Sequence, residues 1–416
     1  MDALPERFHQ PGEAPIRPMR IALVGTRGVP ASYGGFETAV EEVGKRLALL
    51  GHEVTVYCRG EAASGQEFLG MRLVHLPAVS NKHLETLSHT GLSATHLVVH
   101  RAPDVAVVFN AANAPFLPVL RARRIPVATH VDGLEWRRDK WGAGGRGYYR
   151  MAESLAVRWS DALIADARGI QDYYREEFGT RATLIAYGAP LLVDLPGGRL
   201  AELGLTSGRF HVVVARFEPE NHVHVAVQAM LDSGAQYPLV VVGSAPYAHE
   251  HTSHIEALAA RDRRVRLVGS VYDQELLDQL YAHALTYVHG HSVGGTNPSL
   301  LRAMGAQTAV LAYDVPFNRE VLGRDGRFFR TAPELARLIE AAEAVPRDAV
   351  ARGQRLRERA AALYRWDEVA RRYEQLCADL VAGVRLRSAA SGRRRSTERR
   401  SGGRLSRRTE VQPAGG

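Results

Sequence analysis

The sequence predicts an α/β chain of two Rossmann-like domains facing each other across a cleft, with a C-terminal helix crossing back onto the first domain. Three observations carry this. "RIALVGT" (20–26) leads into an amphipathic stretch and then "EVTVYC" (53–58), which together read as a βαβ unit. The same rhythm restarts at "FHVVVAR" (210–216), after a break rich in Gly, Pro and Leu. A long helical pattern, "WDEVARRYEQLCADLVAG" (366–383), follows the last predicted strand.

The elements follow in order. "RIALVGT" is a short apolar run ending in glycine, as a buried parallel strand is. A helix is expected from Phe36 to Leu50, stopped by Gly51, and a second strand over Glu53–Cys58. Further strands fit 105–110, 125–133, 162–166 and 182–187, with helical patterns between them. In the second half, strands fit 210–216, 239–244, 265–270, 285–290 and 308–314. The expected division is a disordered segment 1–19, a first domain 20–190, a hinge 191–209, a second domain 210–365, the crossing helix 366–383 and a disordered basic tail 384–416.

Composition bounds the function. The 416 residues are 45% hydrophobic, which suits two ordinary globular domains. Cys58 and Cys377 lie far apart and suggest neither a disulfide framework nor a zinc site, so a reducing, cytoplasmic setting is expected. The first twenty residues contain no apolar signal-peptide core, and no apolar run approaches the ~18–20 residues of a membrane span. The net charge of +8 is local: residues 385–416 hold ten arginines and two glutamates, leaving the rest balanced. A nucleic-acid-binding core is therefore not expected. The tail has almost no large apolar residue. It reads as a solvated extension or as a weak contact for anionic lipid headgroups at the inner membrane face.

Two glycine-rich stretches mark the expected site. "GTRGVPASYGGFET" (25–38) lies at the C-terminal end of the first strand, where open α/β sheets bind ligands. It lacks the G-x-G-x-x-G dinucleotide pattern. Gly34 and Gly35 suit either a tight turn or a close approach of backbone to an anion at the following helix start. "HSVGGTNPSLLRAMG" (291–305) repeats the arrangement in the second domain. There Asn297 is a cap and Pro298 a first helical residue, preceded by Gly294, Gly295 and Thr296, with Ser299 just inside. Two such helix starts facing across a cleft suggest a ligand bearing a diphosphate. Arg216, in "ARFEPENH" (215–222), suits a bidentate phosphate clamp or a pair with Glu218 or Glu220. "HVDGLEWRRDKW" (130–141) sets charges beside aromatic rings, as a sugar-binding wall does. His130 and Asp132 are candidates to orient or deprotonate a hydroxyl, and His130 equally suits a core histidine. No Asp-x-Asp pair or histidine-rich ligand spacing occurs, so no metal or other cofactor is expected.

At these residues the chain resembles family 4 glycosyltransferases of the GT-B fold, and most of all the branch containing bacterial rhamnosyltransferases of polysaccharide synthesis. The resemblance rests on the four stretches above together with "AYDVPFNREVLG" (312–323), and spans about 20–383. It implies retaining, metal-independent transfer of a sugar from a nucleotide-diphosphate donor to an acceptor hydroxyl of a glycan or lipid-linked acceptor. The first domain takes the acceptor near Tyr33, Glu135 and Trp136. The second holds the donor through Arg216, Asn221, Gly294, Gly295, Thr296, Asn297, Ser299 and Arg302, closed over by Gly34 and Gly35. Three positions depart from the family. Asn221 stands where lysine is common, and Arg302 where a glutamate contacts the donor ribose. Gly294 stands where a second glutamate is usual. Arginine cannot accept a hydrogen bond from ribose, so Arg302 is expected at the donor phosphates or in solvent. A degenerate homologue used for binding or scaffolding, or a nucleotide-sugar epimerase of the same fold, are the alternatives.

Overall fold

The computed structural model describes residues 16–31, 34–60, 65–79, 84–100, 102–131, 133–138, 141–244, 249–384, 386 and 392–394. The first domain holds strands β1 (Arg20–Val24), β2 (Glu53–Arg59), β3 (Glu67–Phe68), β4 (Met71–Leu76), β5 (Val105–Phe109), β6 (Val127–Val131), β7 (Ala162–Ala165) and β8 (Thr183–Leu184). Their order is β3-β4-β2-β1-β5-β6-β7-β8, parallel apart from the β3–β4 hairpin. The second holds β9 (His211–Val214), β10 (Leu239–Val242), β11 (Val265–Gly269), β12 (Thr286–His289), β13 (Ala309–Tyr313) and β14 (Arg327–Phe329). These run in parallel in the order β11-β10-β9-β12-β13-β14. In both sheets the strand order reverses beside the first strand, between β1 and β5 and between β9 and β12. Ligands bind at that switch point, outside the carboxyl ends of the strands.

The parallel strands are buried on both faces, which is why they read as unbroken apolar runs. The expected strands at 20–26, 105–110 and 125–133 are present with trimmed ends, and the one at 53–58 extends to Arg59. The run at 182–187 yields only the two residues of β8. The β3–β4 hairpin and β14 were not expected. The hairpin turns through Leu69 and Gly70, both at positive φ (49° and 78°), the backbone that a two-residue hairpin needs.

The helix Trp366–Val381 returns to the first domain. Trp366, Val369, Tyr373, Leu376 and Leu380 are buried on it. Each contributes ~1.5–3 kcal/mol of burial. Polar pairs fix its register: Glu374 meets His52 at 2.9 Å, and Asp367 meets Arg46 at 2.8 Å. The chain between the domains is packed rather than loose. A Cβ on Gly188 would lie 2.4 Å from the Trp366 ring, and one on Gly305 only 1.8 Å from the Pro190 carbonyl oxygen. Within the expected hinge, Leu200 and Leu205 are buried.

Two expectations of disorder are corrected in part. Residues 16–19 lie on the first domain, where Met19 is buried and its amide donates to His52 Nδ1 at 3.1 Å. Arg394, in the tail, is also held. Its guanidinium donates to Tyr173 Oη at 2.8 Å, pairs with Glu177 at 3.3 Å and with buried Glu153, and lies 4.9 Å from the Phe178 ring centre. A buried carboxylate needs a partner, and the tail supplies it. Both cysteines are buried and free.

Candidate functional site

The carboxyl edges of the two sheets face each other, and the two glycine-rich turns meet there. A Cβ on Gly35 would lie 3.2 Å from Pro298 Cγ, so the helices Gly35–Leu49 and Pro298–Gly305 start against one another. A Cβ on Gly133 would lie 2.5 Å from Gly294 Cα. Thr296 Oγ1 donates across the cleft to the Asp166 carbonyl at 2.6 Å. A side chain at position 133 would collide with the Gly294 backbone, so glycine is required there.

The second-domain turn is built as a helix entrance. Asn297 Oδ1 accepts from the Ser299 amide at 3.0 Å and from Ser299 Oγ at 2.7 Å, and Tyr287 Oη donates to Ser299 Oγ at 2.9 Å. Asn297 therefore caps the helix, and Ser299 is spent on the protein rather than turned to a ligand. The turn's remaining donors are the backbone of Gly294 and Gly295, and that of Thr296, which also faces the Asp166 carboxyl group.

Arg302 is neither at this turn's mouth nor loose in solvent. It pairs with Asp278 of the helix Gln274–His283, with 22% of its side chain exposed. Asp278 lies 24 residues earlier in the chain, so the pair had no local signal. Asn221 is buried, and its amide donates to the Arg216 carbonyl at 2.9 Å, fixing the turn after β9. Arg216 lies 3.4 Å from Glu218, the pairing that the sequence left open. Burial of the ring, with opposing charge from Arg216 and Arg138, holds His291 down to about 3.

On the first domain, Tyr33 and Asp132 lie outside the described residues. His130 is fully buried beneath the cleft. Its Nδ1 meets Tyr373 Oη at 2.8 Å, Nε2 has no partner among the described residues, and the rings of Phe36, Phe109 and Tyr187 surround it. Burial pulls its pKa down to about 3, so it is neutral at physiological pH and a poor base. The core-histidine alternative is the one observed. Glu135 is buried and taken up by Arg138 at 2.5 Å and Trp141 Nε1 at 3.3 Å, which leaves little of it for an acceptor. Trp136 lies under the guanidinium groups of Arg137 and Arg150, at 5.1 and 5.3 Å.

Three residues outside the expected set stand in the cleft. Arg138 reaches from the first domain to Glu218 at 3.3 Å and Glu220 at 3.7 Å in the second. Asp166, following β7, lies against Gly295. Tyr373 brings the crossing helix beneath the site through its bond to His130. The position of Asp166 had a signal: it ends the apolar run "ALIAD", where a strand delivers its next residue to the ligand edge. Among the described residues, no group of three or more His, Cys, Asp or Glu is placed to hold a metal ion.

Two doubly wound domains opposed across their carboxyl strand edges are the GT-B arrangement, and the family matches of both domains make this chain a glycosyltransferase of that type. Residues 34–188 match the family described as Glycosyl transferase 4-like domain and residues 202–361 the family Glycosyl transferases group 1, one match per domain. Solved structures agree on the fold. A sucrose-phosphate synthase from Thermosynechococcus elongatus matches at TM-score 0.75 and 23% identity, over 87% of this chain and 99% of that one. Anabaena HepE in complex with UDP-glucose matches at TM-score 0.70 and 15% identity, over 87% and 100%. A glycosyltransferase from Rickettsia africae matches at 0.66 and 15%, over 87% and 98%. No curated protein matches the chain in sequence.

Proposed function

We propose that the chain transfers a sugar, with retention, from a nucleotide-diphosphate donor to an acceptor hydroxyl, and that it does so without a metal ion. The observation that carries this reading is the meeting of the helix starts at Gly35 and Pro298, one from each domain. Both present backbone amides and positive dipole ends to the same space. The donor reading is also supported by the UDP and UDP-glucose bound in HepE structures. In this reading the backbone of Gly294, Gly295 and Thr296 and the guanidinium of Arg216 meet the diphosphate as charge develops on it. The bond between the sugar carbon and the diphosphate oxygen breaks, and the acceptor oxygen bonds to that carbon on the same face. The acceptor's proton passes to the departing diphosphate, because His130 is too weak a base to receive it.

The acceptor side is the first-domain wall from Gly133 to Trp141. Rhamnose as the sugar, a glycan or lipid-linked acceptor of cell-surface polysaccharide synthesis, and work at the inner membrane face are parts of the proposal suggested by the sequence resemblance. None of the described helices is long and apolar enough to cross a membrane. The experiment is a panel of nucleotide-diphosphate sugars incubated with the enzyme and candidate acceptors, with the product's anomeric configuration read by NMR. Transfer with retention supports the reading, and inversion overturns it. The second reading, a binding or scaffold homologue, is favoured by one observation: Arg302 is tied to Asp278 at the position where the family places a ribose-binding acid. A donor that binds but turns over neither by transfer nor by hydrolysis favours that second reading.

A further inference from the structure

The helix entrance proposed for the diphosphate already faces a carboxyl group. Asp166 is 5% exposed at the carboxyl edge of β7. A Cβ on Gly295 would lie 2.1 Å from its Oδ1 and 2.7 Å from Cγ and Oδ2, so the side chain lies against the glycine turn. Oδ1 has no hydrogen-bond partner among the described residues. No lysine or arginine pairs with it there, a rare arrangement for a buried acid.

Its neighbours give no compensating charge. Glu320, on the helix Pro316–Leu322, acts against ionisation of Asp166 and is itself occupied by Arg168 at 3.6 Å. Tyr373, on the crossing helix, is a neutral phenol whose hydroxyl is engaged with His130, and His130 is neutral. The opposing pull comes from backbone amides, those of Asp166 itself and of Thr296. Burial wins, with help from Glu320, and lifts the group to about 7.

We infer that Asp166 takes up a proton when a nucleotide diphosphate settles on the Gly294–Thr296 turn, so that donor binding is coupled to protonation of this residue. The inference rests on the donor site proposed above. Its physical basis is that a carboxylate and a diphosphate cannot both stay ionised against one buried turn, as two carboxylates sharing a site cannot. Added negative charge raises the carboxyl's pKa, and protons are bound with the ligand wherever the unliganded group is ionised. Affinity therefore falls as pH rises through and above neutrality. Asp166 is a positioning residue here: it acts on the donor through the turn that it faces.

The test is calorimetry of the full chain with UDP, GDP, ADP and dTDP, continued with the tightest of them. Titrations at pH 7.5 in two buffers of different ionisation enthalpy count the protons. Uptake of roughly 0.5–1 proton per nucleotide is expected. Between pH 7 and 8.5, Kd rises by up to about tenfold per pH unit beyond the change seen in Asp166→Asn. The nucleotide's own ionisation is common to both proteins and cancels in that comparison. Glu320→Gln, which removes an acid opposing ionisation, moves the onset of the rise to lower pH. Binding without proton uptake by the wild type, a count that needs no variant to fold, overturns this inference and leaves the donor site standing. An equal pH slope in a folded Asp166→Asn does the same. No binding of any diphosphate ends the donor reading, and this inference with it.

Discussion

Gly295→Ala adds one methyl group at the narrowest point of the cleft. Its Cβ would lie 2.1 Å from Asp166 Oδ1 and 2.7 Å from Cγ and Oδ2. An ordinary carbon–oxygen contact is ~3.3–3.6 Å, so the carboxyl group must retreat by more than about 1 Å. Asp166 is buried, and its carbonyl is held by Thr296, so it has little room to do so. Overpacking of this kind costs ~1–3 kcal/mol. The contact lies between domains, so the strain falls on closure rather than on folding of either domain. A shift of 1–3 kcal/mol in closure weakens donor use by about 5–150-fold. Steady-state kinetics with the donor should show a loss of kcat/KM in that range, while the thermal melting curve stays near that of the wild type. Asp166→Ala in the same chain removes the obstructing carboxyl and should recover much of the loss, giving a non-additive double-mutant cycle. Wild-type kinetics in Gly295→Ala, or a loss matched by a fall in Tm, would refute the reasoning.

Other outcomes follow from the same geometry. Gly305→Ala puts a Cβ 1.8 Å from the Pro190 carbonyl oxygen, a backbone atom that cannot swing away. It should destabilise the chain by about 1–3 kcal/mol or more, read as a lower midpoint in urea. Arg394→Ala leaves buried Glu153 with Tyr173 as its remaining partner and should cost ~1–3 kcal/mol, again by urea unfolding. Truncation after residue 394 should not, and an equal loss on truncation would contradict the assignment. Stability should also fall in mild acid. His89, His130 and His289 are fully buried and neutral, with His89 held near 4 and His130 near 3 by burial. Below about 6.5 the unfolded chain binds protons that the folded chain refuses, and each contributes up to ~1.4 kcal/mol per pH unit of lost stability. Asp166 acts in the opposite sense. Its raised pKa stabilises the fold at pH below the unfolded value near 4, and that contribution disappears as pH rises to about 7. His224 and His291, held near 4 and near 3, add to the loss, while the raised carboxyls of Glu153 and Glu320 act with Asp166; a net loss of stability between pH 6 and 4.5 is expected, measured by urea midpoints across pH. A flat profile would show that these histidines are accessible in the folded state.

The sequence made the framework legible where a strand is an apolar run and a turn is glycine. "FHVVVAR" and "LVVVGS" needed nothing beyond their own residues to be read as strands. The β3–β4 hairpin escaped because its turn is Leu69-Gly70 instead of the Asn-Gly or Asp-Gly that marks such turns. In the site, Asn297 was readable as a cap because the cap is local. Arg302 was not readable, because its partner Asp278 comes from a separate helix. The same holds for Arg138, whose carboxylates Glu218 and Glu220 belong to the other domain. His130 carried two meanings in sequence, and packing by Phe36, Phe109, Tyr187 and Tyr373 decided between them.

Amide hydrogen exchange of residues 291–300, with and without the tightest-binding nucleotide-diphosphate sugar, addresses the proposed donor site most directly. Slower exchange centred on Gly294, Gly295 and Thr296 is the expected result. Saturating nucleotide with unchanged exchange there, and protection elsewhere, would contradict it.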